Sequence, residues 1–241
     1  LLKTIYRTGV SQVIGSPPFF SWLKLEPLKE ASLTTLILIR HAQNDWVRTG
    51  KLAGWTPDVH LNEEGVEQAK ALGRRLAHVN LKAVYSSPLE RAVETAHLVL
   101  SHHPDLSLQI EEGIGEVDFG SWTGKRLRKL SRTRLWKVVQ RYPSDARFPS
   151  GESIHQMQFR VVSSVGKLAA RHPDGLLAII SHSDVLKAAV AHYAGMPLDL
   201  FQRLVISPAS ISVIELHRMG PRIIKLNDTS HYDHPTDKAP E

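Results

Sequence analysis

Three short apolar runs in this chain each stop abruptly at a cluster of polar residues, and that repeated punctuation constrains the fold more than any other feature. Leu33-Thr34-Thr35-Leu36-Ile37-Leu38-Ile39 ends in Arg40-His41-Ala42-Gln43-Asn44-Asp45. Lys82-Ala83-Val84-Tyr85 leads into Ser86-Ser87-Pro88-Leu89-Glu90-Arg91, and Leu176-Leu177-Ala178-Ile179-Ile180 leads into Ser181-His182-Ser183-Asp184. Brief runs of this kind, the first rich in β-branched residues, are the pattern of buried parallel strands. Helix-like stretches follow, from Leu89 to about Leu100 and from Asp184 to about Ala194. Parallel strands bring their carboxyl ends to one edge, where open α/β sheets bind ligands. His41, His182, Arg40 and Arg91 would then share that edge, with helix amino-termini aimed at it. Two guanidinium groups, two imidazoles and free backbone N–H groups make an anion site, and phosphate is the obvious guest.

The rest of the chain continues the alternation. Asn62 is a suitable N-cap for a helix running to about Ala77, with Val66, Ala69, Leu72 and Leu76 on one face and acids in the first turn. Leu106 to Ile110 alternates as a strand does. Gly151-Glu152-Ser153 opens a helix to about Arg171, and Ser210–Leu216 with Arg222–Leu226 reads as a hairpin turning at Met219-Gly220-Pro221. Ser121 to about Gln140 is polar, basic and helical, and interrupts the strand–helix order, so an insertion over the sheet edge is expected at 121–150. Residues 1–32, broken by Gly15-Ser16-Pro17-Pro18, read as an extension preceding the domain at 33–241, and the tail from Asp228 reads as irregular. The fold expected is α/β: a three-layer α/β/α sandwich around a mainly parallel central sheet.

Composition narrows the chemistry. The 241 residues suit one sizeable domain with a full core. There is no cysteine, which excludes disulfides, thiolate metal sites and cysteine nucleophiles. No apolar run approaches the roughly 18 residues that span a bilayer, and residues 1–33 lack the pattern of a signal peptide. A cytoplasmic protein without a membrane partner is expected. The formal charge of +6 favours anionic partners. Eight cations, Lys125, Arg126, Arg128, Lys129, Arg132, Arg134, Lys137 and Arg141, fall in a stretch with no acid. They read either as a solvated helix face or as a basic lip that draws an anionic substrate inward. No recognition motif or aromatic array accompanies them, so a nucleic-acid partner is not expected.

In their order, these residues resemble the histidine phosphatase superfamily, which includes the cofactor-dependent phosphoglycerate mutases. Arg40-His41-Ala42-Gln43 resembles its Arg-His-Gly-Glu signature, and Gly54-Trp55 and Leu61-Asn62-Glu63-Glu64-Gly65 resemble the segment after it. Ser86-Ser87-Pro88-Leu89-Glu90-Arg91-Ala92 resembles the second phosphate-binding turn. Glu116-Val117-Asp118-Phe119-Gly120-Ser121-Trp122-Thr123-Gly124 resembles the acid-bearing segment, and Gly151-Glu152-Ser153 and Ser181-His182-Ser183 resemble the last two signatures. The resemblance implies a phosphoglycerate mutase-like fold and a catalytic set of His41, Glu116, His182, Arg40 and Arg91. His41 would accept the phosphoryl group. Arg40, Arg91 and His182, with Asn44 and Ser183, would bind the substrate phosphate, and Glu116 would be general acid and later general base. Asp118, two residues on, is the alternative acid. Imidazole attacks phosphorus without a metal, and charge on the equatorial oxygens needs positive partners. No metal and no cofactor are therefore called for.

The sequence departs from the family pattern at Ala42, where glycine is usual, at Asn44, where serine or threonine is common, and at Val47, where many members carry a phosphate-binding asparagine. Asn44 or Arg48 is expected to compensate for Val47. Lys187 stands where mutases tend to carry arginine. Trp122 and Phe119 are expected in the core or in the pocket wall. A phosphohistidine can pass its phosphoryl group to water or to a second hydroxyl. Glu116 and Gly151 are only 35 positions apart, a compact spacing that resembles the phosphatase branch more than the mutases. The expected activity is metal-independent phosphomonoester hydrolysis on a small anionic phosphorylated metabolite. A phosphomutase and a non-catalytic phospho-ligand-binding module are the alternatives. Monomer and homodimer are equally compatible with the sequence.

Overall fold

The computed structural model describes residues 33–232. The expected extension at 1–32 and the end of the expected irregular tail lie outside the described residues. At the centre is a six-stranded sheet in the order β3-β2-β4-β1-β5-β6. Its strands are β1 (Leu33–Arg40), β2 (Ala83–Ser86), β3 (Leu108–Ile110), β4 (Leu176–Ser181), β5 (Ile211–His217) and β6 (Gly220–Asp228). The first four in space, β3, β2, β4 and β1, are mutually parallel, and β5 and β6 close the sheet as an antiparallel hairpin.

Alternation along the strands explains why helices cover both faces. From β1, Leu36 and Leu38 enter one core with Tyr85, Leu177 and Ile179. Their neighbours Ile37 and Ile39 enter the other, with Val84, Ala178 and Ile180. A strand buried on both faces reads as an unbroken apolar run, which is why 33–39 and 176–180 show no polar alternation. On the Ile39 side lie α2 (Glu63–Leu76), through Leu72 and Leu76, and α3 (Glu90–Leu100), through Ala92, Ala96 and Val99. The Leu38 side carries α6 (Ile154–Arg171) and α7 (Ser183–Tyr193). These are the three layers.

Caps mark where the helices begin. The Asn62 side chain accepts the Gly65 N–H at 2.8 Å to start α2. Ser153 and Gln156 form a reciprocal capping box on α6, a device worth about 1 kcal/mol. Gly65 is required for a second reason. Any side chain there would run into the Gln43 backbone, so the glycine lets α2 press against the loop that follows His41.

The basic helical segment expected at 121–150 is a series of short pieces. A 3₁₀ turn at Gly120–Trp122 is followed by α4 (Leu127–Leu130), α5 (Arg134–Arg141) and another 3₁₀ turn at Pro143–Asp145. Gly120 and Gly124 take positive φ, and Thr133 caps a fresh start by accepting the Trp136 N–H. A continuous helix would also have stacked like charges one turn apart. A four-residue helix, α1 (Asp45–Arg48), follows β1 after the loop 41–44. Among the described residues no helix is long and apolar enough to cross a membrane.

Candidate active site

Strand register sets the geometry. Arg40 pairs with Ser181 across β1 and β4, so the next residues, His41 and His182, emerge side by side at the carboxyl edge. The His41 N–H donates to the Ser181 carbonyl at 2.9 Å, and the Ser87 N–H to that of Ile180 at 3.0 Å. The two imidazole rings stand 5.1 Å apart at 59°. Arg91 enters from the first turn of α3. Neither α3 nor α7 has a side-chain cap, so both present free N–H groups toward this edge.

His41 is 2 % exposed. Its Nδ1 lies 2.8 Å from the Ala42 carbonyl, an acceptor only, so Nδ1 carries the proton and Nε2 keeps its lone pair. Burial, with Arg91 and Arg40 beside it, pushes the imidazole well below its ordinary pKa. His182 is fully buried and shifted the same way by burial and by Arg91. Its Nε2 is 2.7 Å from the Ser87 hydroxyl, and its Nδ1 is 3.5 Å from Glu116 Oε2.

The cations are held by carbonyls rather than neutralised at close range. Arg40 Nη1 donates to the Ile206 carbonyl at 2.7 Å and Arg91 Nη2 to that of Gly54 at 2.9 Å. Gly54 has φ +53°, a conformation glycine adopts freely, which turns its carbonyl to this use. Glu116 Oε2 remains 3.9 Å from Arg91. Among the described residues, three of the buried donors without a hydrogen-bond partner gather at this edge: Arg40 Nε, Arg91 Nη1 and Asn44 Nδ2. Orphaned buried donors are costly, and here all three belong to residues lining one cavity. They suit an anion with several oxygen acceptors.

Glu116 lines the same cavity of about 280 Å³. Burial raises its carboxyl from the ordinary 4.5 to about 7, against the opposing pull of Arg91 and of the Val117 N–H. Asp118, the alternative acid, is exposed and outside the lining. Its Oδ1 caps the Gly120 N–H at 2.9 Å.

Of the candidates for contact, Arg40, His41, Asn44, Arg91, Glu116 and Ser183 line the cavity, and His182 stands behind them against Ser87 and Glu116. Asn44 uses Oδ1 to cap α1, accepting the Val47 N–H at 2.8 Å, and keeps its Nδ2 unpaired. Arg48 is exposed and paired with Asp45, so of the two residues expected to compensate for Val47 only Asn44 reaches the cavity. Lys187 reaches it paired with Asp184 at 3.3 Å and with Gln202 at 3.1 Å. Trp122 and Phe119 are both core and wall. None of the eight cations from 125–141 lines the cavity. The apolar residues between them, Leu127, Trp136 and Val139, do.

Sequence reasoning missed the support behind Glu116. Arg160 on α6 donates to the Gly113, Gly115 and Glu116 carbonyls at 3.1, 2.8 and 3.0 Å and pairs with Glu152 at 2.6 Å. The Trp55 indole N–H donates to the Glu116 carbonyl at 2.7 Å. No local pattern distinguishes Arg160 from a surface helix arginine. The apolar face that α5 gives to the wall had a signal, the helical spacing of Leu135, Trp136, Val138 and Val139 inside the basic stretch.

A three-layer α/β sandwich that gathers two histidines and two arginines at the carboxyl edge of its sheet has the arrangement of a phosphate-handling protein. The profile of the histidine phosphatase superfamily, branch 1, matches residues 36–229, and the chain belongs to that family. Its relatives include phosphoserine phosphatase 1 of Hydrogenobacter thermophilus, 32% identical over 83% of this chain and 94% of the relative. They also include the 2,3-bisphosphoglycerate-dependent phosphoglycerate mutase of Mesorhizobium japonicum, 31% identical over 62% of this chain and 81% of the relative. Among solved structures, Bacillus stearothermophilus YhfR superposes with a TM-score of 0.77 at 28% identity, over 83% of this chain and 100% of that one.

Proposed function

We propose that this protein is a metal-independent phosphomonoester phosphatase working through a phosphohistidine at His41. The observation that carries the reading is a neutral imidazole, its Nδ1–H tied to Ala42 and its Nε2 free, beside two arginines and a carboxyl of pKa about 7. In the first step Nε2 forms the P–N bond as the ester P–O bond breaks. Arg40, Arg91 and Asn44 hold the equatorial oxygens with His182 behind them, and protonated Glu116 gives its proton to the leaving alkoxide. In the second step Glu116, now a carboxylate, takes a proton from water. The resulting hydroxide attacks phosphorus, the P–N bond breaks, and inorganic phosphate leaves with His41 restored. Near pH 7 both forms of Glu116 are populated, as a residue that acts first as acid and then as base requires.

Water rather than a second hydroxyl is the acceptor in this reading. The compact segment between Glu116 and Gly151 supports it. So does the longer match to the phosphatase relative, 83% of the chain against 62% for the mutase.

The test is p-nitrophenyl phosphate hydrolysis with EDTA present, wild type beside His41→Ala. Chelator-resistant turnover that falls by more than about 10³-fold in the variant is expected. Turnover near wild type in the variant would overturn the assignment. Activity confined to 3-phosphoglycerate isomerisation would transfer it to the mutases.

A further inference from the structure

The cavity at the sheet edge has two unlike halves. One end is the charged cradle of Arg40, His41, Asn44, Arg91 and Glu116. The other is walled by Leu52, Phe119, Trp122, Trp136, Val139 and Phe148. These rings brace one another. Trp122 stacks on Trp136 with centroids 6.3 Å apart at 25°, and meets Phe148 at 5.4 Å and 65°. Phe119 meets the same Phe148 edge-on at 5.0 Å and 84°. Aromatic walls locked by mutual packing form a pre-shaped apolar slot, and a volume of about 280 Å³ lies near the lower end for small-molecule sites.

Charge is sparse beyond the cradle for a structural reason. The helices over the cavity, α4 and α5, turn Leu127, Trp136 and Val139 inward, and none of their eight flanking cations reaches the lining. Beyond the cradle, two cations line the cavity. Lys51 has its Nζ 3.7 Å above the Trp46 ring, and Lys187 is engaged by Asp184 and Gln202. The Asp184–Lys187 pair contributes no net charge. A carboxylate or second phosphate on the substrate would lose its hydration here and meet a Lys187 already paired with Asp184 and a Lys51 held over the Trp46 ring.

We propose that this aromatic chamber receives the leaving alcohol, and that the preferred substrates are phosphomonoesters of ring-bearing apolar alcohols without a second charged group. This deepens the phosphatase reading and rests on it for turnover. It sets the chain apart from its relative named a phosphoserine phosphatase, whose named substrate carries an ammonium and a carboxylate beside the phosphate. The basic outer faces of α4 and α5 then act at a distance, raising the encounter rate with any phosphate dianion without touching the alcohol.

Two pairs of ligands test the proposal. 2-Phenylethyl phosphate and ethyl phosphate have leaving groups of similar basicity, so their relative turnover reads the chamber rather than the chemistry. The matching phosphonates cannot be hydrolysed and report binding alone. In the wild-type chain, 2-phenylethylphosphonate should bind at least tenfold more tightly than ethylphosphonate by calorimetry. The ester kcat/KM should follow the same order and exceed that for O-phosphoserine by at least a hundredfold. In Trp136→Ala the phenylethyl-to-ethyl ratio should fall at least fivefold, and Trp136→Phe should restore much of it. Equal binding of the two phosphonates by the wild-type chain, or O-phosphoserine turned over as well as the phenylethyl ester, overturns the chamber. Phosphonate discrimination without hydrolysis of any ester supports the chamber and overturns the phosphatase reading. The wild-type comparison decides the matter even where the Trp136 variants fold poorly.

Discussion

The Arg160 guanidinium donates to the Glu116 backbone carbonyl at 3.0 Å from 44 positions further along the chain. The same group pairs with Glu152, whose carboxylate also accepts the Asp118 N–H at 2.9 Å. One arginine thus ties the loop bearing the candidate acid to the start and body of α6. Arg160 is a positioning residue, since it reaches Glu116 only through the backbone.

Removing it should unseat the carboxyl before it unfolds the protein. Arg160→Ala is expected to lower kcat for alkyl phosphates about 10-fold to 100-fold while changing p-nitrophenyl phosphate turnover far less, because that leaving group scarcely needs a proton. Loss of stability should be roughly 3 kcal/mol, the low end for breaking a mostly buried pair. Arg160→Lys should recover part of both. Equal losses on both substrates would assign Arg160 a purely structural role.

The stability that Glu116 contributes should fall as pH rises through neutrality. Its carboxyl titrates near 7 when folded against 4.5 ordinarily, so the native state binds a proton that the unfolded chain has released. That stabilisation is complete below pH 4.5 and is lost as pH rises through about 7. It amounts to about 1 kcal/mol between pH 6.5 and 8. His41 and His182, depressed below 6.5, contribute in the other direction: their stabilisation is present above 6.5 and is lost as pH falls. The histidines regain stability over the same window and offset the loss, so the Glu116 effect is read as a difference: in chemical denaturation the stability of the wild type relative to Glu116→Gln should fall by about 1 kcal/mol from pH 6.5 to 8. Turnover of alkyl phosphates should fall above pH 7 in the wild type and drop about 10²-fold in the variant. A stability difference that stays constant over this window would assign the proton uptake to another group.

Asp118 and Glu116 are separated by the same experiment. Asp118 is exposed and caps Gly120 through Oδ1, and asparagine keeps that acceptor. Asp118→Asn is expected to retain alkyl phosphatase activity within about twofold, as surface substitutions commonly do. A loss as large as that of Glu116→Gln would make Asp118 the acid.

Asn44 carries two functions on two atoms. Its Oδ1 caps α1 and its Nδ2 is the unpaired donor at the cavity. Asn44→Asp preserves the cap, replaces the donor with an acceptor and adds a negative charge. Binding of vanadate, measured by its inhibition of p-nitrophenyl phosphate hydrolysis, should weaken about 10²-fold with little change in melting temperature. Unchanged vanadate affinity would remove Asn44 from the anion site.

Much of this protein is determined locally and is legible from its residues. Strand ends, helix starts and the positions of His41, His182, Arg40 and Arg91 follow from hydrophobic runs, caps and turns, which depend on neighbours a few residues away. The three-layer sandwich follows as well, since strands apolar on both faces need helices on both. Tertiary structure alone decided which of Glu116 and Asp118 faces the cavity, because an irregular loop has no period from which to read direction. It decided that Asn44 rather than Arg48 reaches the anion site. It also decided that the basic 125–141 stretch turns its cations outward and Leu127, Trp136 and Val139 in. Arg160 was beyond local reading for the same reason: its partners, the carbonyls of 113–116, become neighbours only when α6 packs across the sheet. Burial raises Glu116 toward neutrality and keeps His41 uncharged, and burial depends on the closed core rather than on any one segment.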